Sequence, residues 1–261
     1  MEPYINVWGR TIPTYGICMA AGILAASIVG FLRTRKAHED VNNFFILVAC
    51  AAGLGLIAAK LLYIAVSVGL PKAVVLFGRG DFSLLSGGGS VFYGGVIGGI
   101  LGLFVARWIA KINLEVFTDI LVPCLPLGQA FGRVGCFCAG CCYGIPYAGI
   151  GSIRFPESVL GLSPDVPVFP IQPLCSLFNL LLFIALLFLS RRIRGQYRLL
   201  QVYLVAYAVG RFFLEFLRGD AIRASLWGLS TSQWISLGIL AAVLLFRLWL
   251  RREKQGGSAA V

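Results

Sequence analysis

Two arginines and a glutamate sit where charge is expensive. In YLVAYAVGRFFLEFLRGD, Tyr203 to Asp220, Arg211 is embedded in apolar residues and Glu215 follows four positions later. On a helix that spacing puts both side chains on one face, a turn apart. An arginine at the centre of a membrane helix costs roughly 2.5–3.5 kcal/mol, so it turns toward a polar interior. Two readings are open: an intramembrane ion pair that fixes helix packing, or a cavity in which Arg211, oriented by Glu215, binds an anionic headgroup. The second suits arginine, whose planar fork grips phosphate with paired hydrogen bonds and keeps its charge when dehydrated. Arg133, in PLGQAFGRVG, comes from a separate segment. Together the two arginines have the makings of a phosphate clamp. Arg218 and Asp220 follow at the end of the first run. Lys60 lies within another apolar run, where snorkelling, an acid partner and chemistry are all open to it.

The stretch GRVGCFCAGCCYG, Gly132 to Gly144, holds Cys136, Cys138, Cys141 and Cys142, half of the chain's 8 cysteines. Cys138 and Cys141 have the C-x2-C spacing of a zinc site, which Cys136, Cys142 or Cys124 would complete. A disulfide within the loop is open if the loop faces an oxidising compartment. Reduced thiols packing as small apolar groups are a third reading, and a reactive thiol a fourth. No histidine is available nearby, and the expectation is for no metal and no cofactor.

The elements that must hold these groups are membrane helices. Hydrophobic residues make up 59% of the chain and charged ones 13%, against about 25% charged in a soluble domain. Apolar runs recur along the whole length and predict an all-α polytopic membrane protein of about seven spans. They cover Tyr15–Leu32, Phe44–Val68, Val91–Ile109, Val116–Phe131, Ile171–Ser190, Leu199–Leu217 and Gln233–Leu250. The fourth is the shortest, and Pro123 and Pro126 should bend it. The net charge of +11 is distributed as membrane anchors rather than as a nucleic-acid surface. Arg33, Arg35, Lys36, Arg191, Arg192, Arg194, Arg251, Arg252 and Lys254 fall on one side. Fewer, namely Arg10, Lys72, Arg79, Arg133, Arg154, Arg218 and Arg223, fall on the other. The positive-inside bias predicts the N-terminus out and the C-terminus in, with the cysteine stretch on the outer side. Residues 1–261 read as one integral domain with no signal peptide, and 251–261 as a disordered tail. Two outer segments, Gly69–Ser90 and Gly132–Pro170, are long enough to hold function. Gly94–Gly99 and Gly102 place small residues at helical spacing, which favours close helix packing.

Six blocks in order resemble the prolipoprotein diacylglyceryl transferase family: PTYGICMAAGI, GGGSVFYGGVIGG, DILVPCLPLGQAFGRVGCFCAGCCYG, FPIQPL, AVGRFFLEFLRGD and STSQWIS. The resemblance implies a bacterial inner-membrane enzyme with its active site facing the outer leaflet. It would move the diacylglyceryl group of phosphatidylglycerol to the thiol of a lipobox cysteine in a secreted preprotein, releasing glycerol phosphate. Displacement at a glycerol carbon needs a thiolate nucleophile and stabilisation of charge on the departing phosphate. Carried over by position, Arg133 and Arg211 match the family's essential arginines, Tyr15 a functional tyrosine, Glu215 its glutamate and Gly144 the glycine closing the signature. Gln172 and Gln233 match polar positions near the cavity. The chain departs at the proposed base, where Tyr93 stands for histidine; its one histidine, His38, lies in a basic loop. Cys136, Ala139 and Cys141 replace two asparagines and a glutamate, and Leu174-Cys175 a Tyr-Glu pair. With an ordinary pKa near about 10, Tyr93 is a weak base at neutral pH. A different acceptor, or phospholipid binding without catalysis, therefore stays open.

Overall fold

The structure, a computed structural model, describes residues 4–7, 10–69, 91–155, 166–219 and 225–258, with positions 71, 75 and 78. Lys72, Arg79, the glycine run 87–89, Asp220 and Arg223 lie outside the described residues. The apolar runs return as helices. They are α1 (Thr14–Lys36), α2 (Val41–Tyr63), α3 (Phe92–Ala110), α4 (Leu114–Leu121), α5 (Cys124–Cys138), α6 (Ile171–Leu189), α7 (Arg198–Leu214) and α8 (Thr231–Ser258). α2 continues as a π-helical segment, Ile64–Gly69, and α7 as a 3-10 turn, Glu215–Leu217. Six of the helices are long and apolar enough to cross a membrane. The bent pair α4–α5 makes a seventh, with a 43° break at the position the prolines dictate. Helical backbone in α8 runs past Leu250 to Ser258. Two short antiparallel hairpins were not legible in the sequence: β1 (Tyr4–Val7) with β2 (Arg10–Pro13), and β3 (Ser225–Leu226) with β4 (Leu229–Ser230).

Burial is inverted relative to a water-soluble protein. Leu56, Ile57, Leu61, Trp108, Leu181, Phe188, Leu244 and Leu245 are all exposed, whereas Thr34, Gln172, Asn179, Gln201, Glu215, Gln233 and Ser236 are buried. That is the pattern lipid imposes, with apolar groups outward and polar groups satisfied inside.

The chain forms two compact units, residues 1–30 with 118–261 and residues 31–117. In the second, α2 packs on α3 along a glycine seam. Gly94, Gly98 and Gly102 recur every fourth residue and lie on the α2 backbone. A Cβ at Gly98 would strike the Leu54 carbonyl, and one at Gly102 the Cys50 carbonyl. These glycines serve packing, because only hydrogen fits between the two backbones. Lys60 lies in this unit with its Nζ 5.4 Å from the Tyr63 ring centroid.

In the first unit α5 packs on α6, α6 on α7, and α7 on α8. Val122, Leu182, Leu186, Leu199 and Tyr203 form its apolar core. A Cβ at Gly22 would lie 2.7 Å from Phe131 Cβ and one at Gly135 would lie 3.1 Å from Cys18 Cβ, so the start of α1 rests directly on α5. Across α7 and α8, Arg247 Nε donates to Gln201 Oε1 at 2.8 Å.

The seam makes a clear forecast. Gly98→Ala should lower stability by about 1–3 kcal/mol, the usual cost of overpacking, measured as denaturant or thermal unfolding in micelles. Gly53, on the same helix pair but with no atom within 4 Å of its Cβ position, should tolerate alanine without loss.

Candidate active site

The cysteine stretch begins as helix. Arg133, Cys136 and Cys138 belong to α5, and only from Ala139 does the chain leave it. The sequence had ended this span at Phe131 and placed Arg133 in a loop. No proline interrupts Gly132–Cys138, and Gly132 and Gly135 both stay helical, so the helix carries on. It stops at Gly140, whose φ of +69° only glycine adopts without strain. The Gly140 N–H donates to the Phe137 carbonyl at 3.2 Å, and the Cys141 N–H to the Cys136 carbonyl at 3.1 Å. This pair of bonds is the Schellman closure, which folds the residue after the glycine back over the last turn. Cys141 is thereby set above Cys136. Cys142 then takes φ +59°, a left-handed conformation that costs a non-glycine residue on the order of 1–3 kcal/mol. The outcome is convergence: the Sγ atoms of Cys136, Cys141 and Cys142 lie within 4.8 Å of one another.

Gly144 locks the loop in place. The Ile145 N–H donates to the Leu217 carbonyl at 3.0 Å and the Gly219 N–H to the Tyr143 carbonyl at 3.1 Å. A side chain at Gly144 would strike the Phe169 carbonyl and lie 3.0 Å from the Leu217 carbonyl. Gln172, buried on α6, donates from Nε2 to the Cys141 carbonyl at 2.9 Å. Loop, α6 and the end of α7 are thus tied to one another, with Arg218 extended beside Gly144.

The end of α7 carries a buried charge network. Arg211 Nη2 pairs with Glu215 Oε2 at 2.8 Å, and Arg218 Nε lies 3.9 Å from the same oxygen. The other carboxylate oxygen accepts from Ser230 Oγ at 2.9 Å. Ser230 is also the N-cap of α8. Its Oγ accepts from the Gln233 N–H at 3.3 Å, and its own N–H donates to Gln233 Oε1 at 2.9 Å. This reciprocal pair is a capping box, which is why a Ser-x-x-Gln block opens the helix. Gln233 Nε2 donates to the Phe212 carbonyl at 3.4 Å, so its amide is committed at both ends. Arg211 Nη2 also donates to Ser232 Oγ at 3.1 Å, while its Nη1 is buried with no partner among the described residues.

Positive charge gathers at these residues. Arg133, Arg211 and Arg218 lie within electrostatic reach of one another. Glu215 is a carboxylate that pairs with two of them, Arg211 and Arg218. Positive charge held in a partly dehydrated place attracts an anion, and Arg211 Nη1 is buried with no partner among the described residues. Just outside the helices, Cys142 is the thiol held low. Hydrogen bonds from Cys136 and Cys141 favour its thiolate, and the Arg218 and Arg133 guanidiniums add to this. Cys141 is pushed up, sharing its proton with Cys136 and Cys142.

The structure brings together Arg133, Arg211, Glu215, Gly144, Gln172, Gln233 and Tyr15. Tyr15 opens α1 with its ring on Gly135, at the turn that carries Arg133 and Cys136. Tyr93 is half-exposed in the first turn of α3, within the other unit. Sequence reasoning left out Arg218, Ser230, Ser232 and Tyr207. Arg218 lies three residues after Glu215 on the same turn, a spacing that pointed to it. Tyr207 lies one helical turn before Arg211 and within reach of both Arg133 and Arg211. The serines became visible only once α8 was seen to begin against Glu215. All eight cysteines are free thiols.

Comparison with known proteins bears on the whole chain. A family model described as prolipoprotein diacylglyceryl transferase matches residues 3–249. A protein of Clostridium perfringens named phosphatidylglycerol–prolipoprotein diacylglyceryl transferase 2 is 34% identical over 257 residues, covering 97% of each chain. One of Clostridium tetani, named phosphatidylglycerol–prolipoprotein diacylglyceryl transferase, is 35% identical over 95% of this chain and 98% of its own. A Dehalococcoides mccartyi protein of the same name is 31% identical over 96% and 94%. With its helices, its paired arginines and this match from end to end, the chain belongs to the prolipoprotein diacylglyceryl transferase family.

Proposed function

We propose that this chain transfers the diacylglyceryl group of phosphatidylglycerol to the thiol of a prolipoprotein lipobox cysteine and releases glycerol phosphate. One observation carries the reading: Arg211, within electrostatic reach of Arg133, keeps a buried Nη1 with no partner among the described residues, in a helical membrane protein of this family. In that role Arg133 and Arg211 hold the phosphodiester, and Arg211 Nη1 supplies a donor with no partner among the described residues. Glu215 and Ser232 keep the Arg211 fork at a fixed angle. As the carbon–oxygen bond breaks, negative charge gathers on the departing phosphate, and donors already aimed at it need no reorganisation. Arg218 adds charge from the side of the thiol cluster. Tyr15, beside Arg133, is placed to hydrogen-bond the lipid headgroup. Gly144, Gln172 and Gln233 act by positioning: their groups hold the loop and the start of α8 against the arginines.

The distribution of lysine and arginine supports an N-out, C-in orientation in the bacterial plasma membrane, with the site toward the outer leaflet. Phosphatidylglycerol then reaches the clamp from that leaflet and the preprotein from outside.

The test is the intact mass of a lipobox peptide incubated with the purified protein in phosphatidylglycerol vesicles. Gain of one diacylglyceryl unit, with glycerol phosphate released, is expected. Phosphatidylglycerol binding without transfer would point instead to another acceptor or to a binding role. Arg133→Ala and Arg211→Ala should each reduce transfer by roughly a hundredfold to a thousandfold, the range for removing one preorganised donor. Full activity in either variant ends the clamp reading. Glu215→Gln should destabilise the fold by about 3–5 kcal/mol, as breaking a buried ion pair does, and should lower the unfolding temperature as well as the rate. Tyr93→Phe should leave partial activity, checked in the same mass assay.

A further inference from the structure

The transfer reaction lacks one part in the arrangement above. The acceptor sulfur must be a thiolate, and Tyr93 stands where the family resemblance places a histidine. The cluster of Cys136, Cys141 and Cys142 has the chemistry for that task. Zinc binds thiolate sulfur at about 2.3 Å, so sulfurs on one tetrahedral ion stand roughly 3.8 Å apart. The three Sγ atoms are already within 4.8 Å of one another, about 1 Å from that spacing. The geometry is built rather than accidental. The Schellman closure stacks Cys141 on Cys136, and a left-handed residue turns Cys142 into the same space.

Among the described residues the set stops at three. Cys138 is two residues beyond Cys136 on α5, about 200° around the helix, and its thiol meets Cys18 on α1 instead. A zinc ion with three protein ligands keeps its fourth position for water or substrate. Charge also fits. Three thiolates and one Zn²⁺ carry a net −1, and a fourth thiolate makes it −2, facing the guanidiniums of Arg218 and Arg133.

We infer that Cys136, Cys141 and Cys142 form a zinc site whose open position binds the acceptor cysteine as a thiolate, beside the arginines that hold the lipid phosphate. This rests on the transferase reading and supplies its missing activation step. The acceptor Sγ–H gives its proton to water as the sulfur takes the open position, since a coordinated thiol is deprotonated. A lone pair on that sulfur forms the bond to the glycerol carbon of the diacylglyceryl group. The carbon–oxygen bond to phosphate breaks, and its electron pair leaves on glycerol phosphate. The thioether product is a weaker ligand than a thiolate and gives way to water. No oxidation state changes.

The test uses the full chain, reduced and stripped of metal in detergent micelles, then titrated with Zn²⁺ or Co²⁺. One metal per chain is expected, with thiolate-to-cobalt charge-transfer bands in the near ultraviolet. Those bands report ligation in the unaltered protein, so the outcome does not hang on a variant that misfolds. Adding a lipobox peptide without lipid should change the cobalt spectrum, and a peptide with serine for the lipobox cysteine should not. C136S/C142S should weaken zinc binding by more than about a hundredfold, beyond what loss of an outer partner costs. Cys50→Ser, on α2, should leave it unchanged. A reduced wild-type chain that binds neither ion, or a double variant that binds as well as wild type, overturns the inference. So does a cobalt spectrum that ignores the peptide thiol. Binding is read without phosphatidylglycerol. A peptide-responsive cobalt site with no transfer in the vesicle assay would therefore sink the transferase reading and leave the metal site standing.

Discussion

The carboxylate of Glu215 is the point on which the site depends. Taking a charged group out of water costs several kcal/mol even after the protein relaxes, and Glu215 is 6% exposed. It is tolerated because every neighbouring element contributes to it. Arg211 comes from one turn earlier, Arg218 from the turn after, and Ser230 from the cap of the next helix. The same contacts decide where α7 ends and where α8 begins. Since Ser230 also caps α8 through Gln233, the helix start and the arginine fork share one network of hydrogen bonds. In such networks single deletions propagate. An arginine poised for an anion is thus a by-product of satisfying an acid that could not otherwise be buried.

Membrane helices gain little from apolar contact with each other, because lipid is as apolar as they are. This chain solves association by close approach. The glycines of α3 let two backbones meet in one unit. In the other, Gly22 and Gly135 bring α1 onto α5, Gly144 and Gly219 bring the loop onto the end of α7, and Gly210 accepts the Phe178 ring. At Gly144 that economy has chemical consequences. Only a residue without a side chain lets the loop pair with the strand-like segment carrying Arg218, and this pairing sets Cys142 beside a guanidinium.

How much could be read from the residues alone follows from the range of each signal. Hydropathy acts over a helix length, so the spans and the bend at Pro123 were legible. Arg211 and Glu215 were legible because an i, i+4 pair is a local geometry. The end of α5 was misread, since Gly140, well beyond the expected boundary at Phe131, rather than the drop in hydropathy, terminates the helix. The block Ser230–Ser236 was assigned by resemblance to the cavity; its glutamine turns out to cap a helix, and only its serines reach the charged groups. The i, i+3 spacing from Glu215 pointed to Arg218, but its pairing with Gly144 is tertiary and leaves no mark in a single segment. The hairpins at the N-terminus and before α8 are too short to leave a periodic trace.

The departures from the family pattern acquire a common direction once the loop is in place. Two of them, at Cys141 and Cys175, put sulfur where the resemblance expects a carboxylate. Removing those acids leaves Glu215 paired with Arg211 and Arg218 while Arg133 faces Cys136 and Cys175. Three guanidiniums gathered this closely repel one another, and an anion that comes to the site relieves that repulsion. A phosphodiester does so while lipid is bound. Between turnovers it leaves, and neutral thiols cannot replace it. Thiolates can, and sulfur ligated to a soft cation stays anionic at neutral pH where a free thiol does not. Substituting cysteines for the acids therefore does not simply delete charge. It makes the negative charge of the site conditional on what the sulfurs bind.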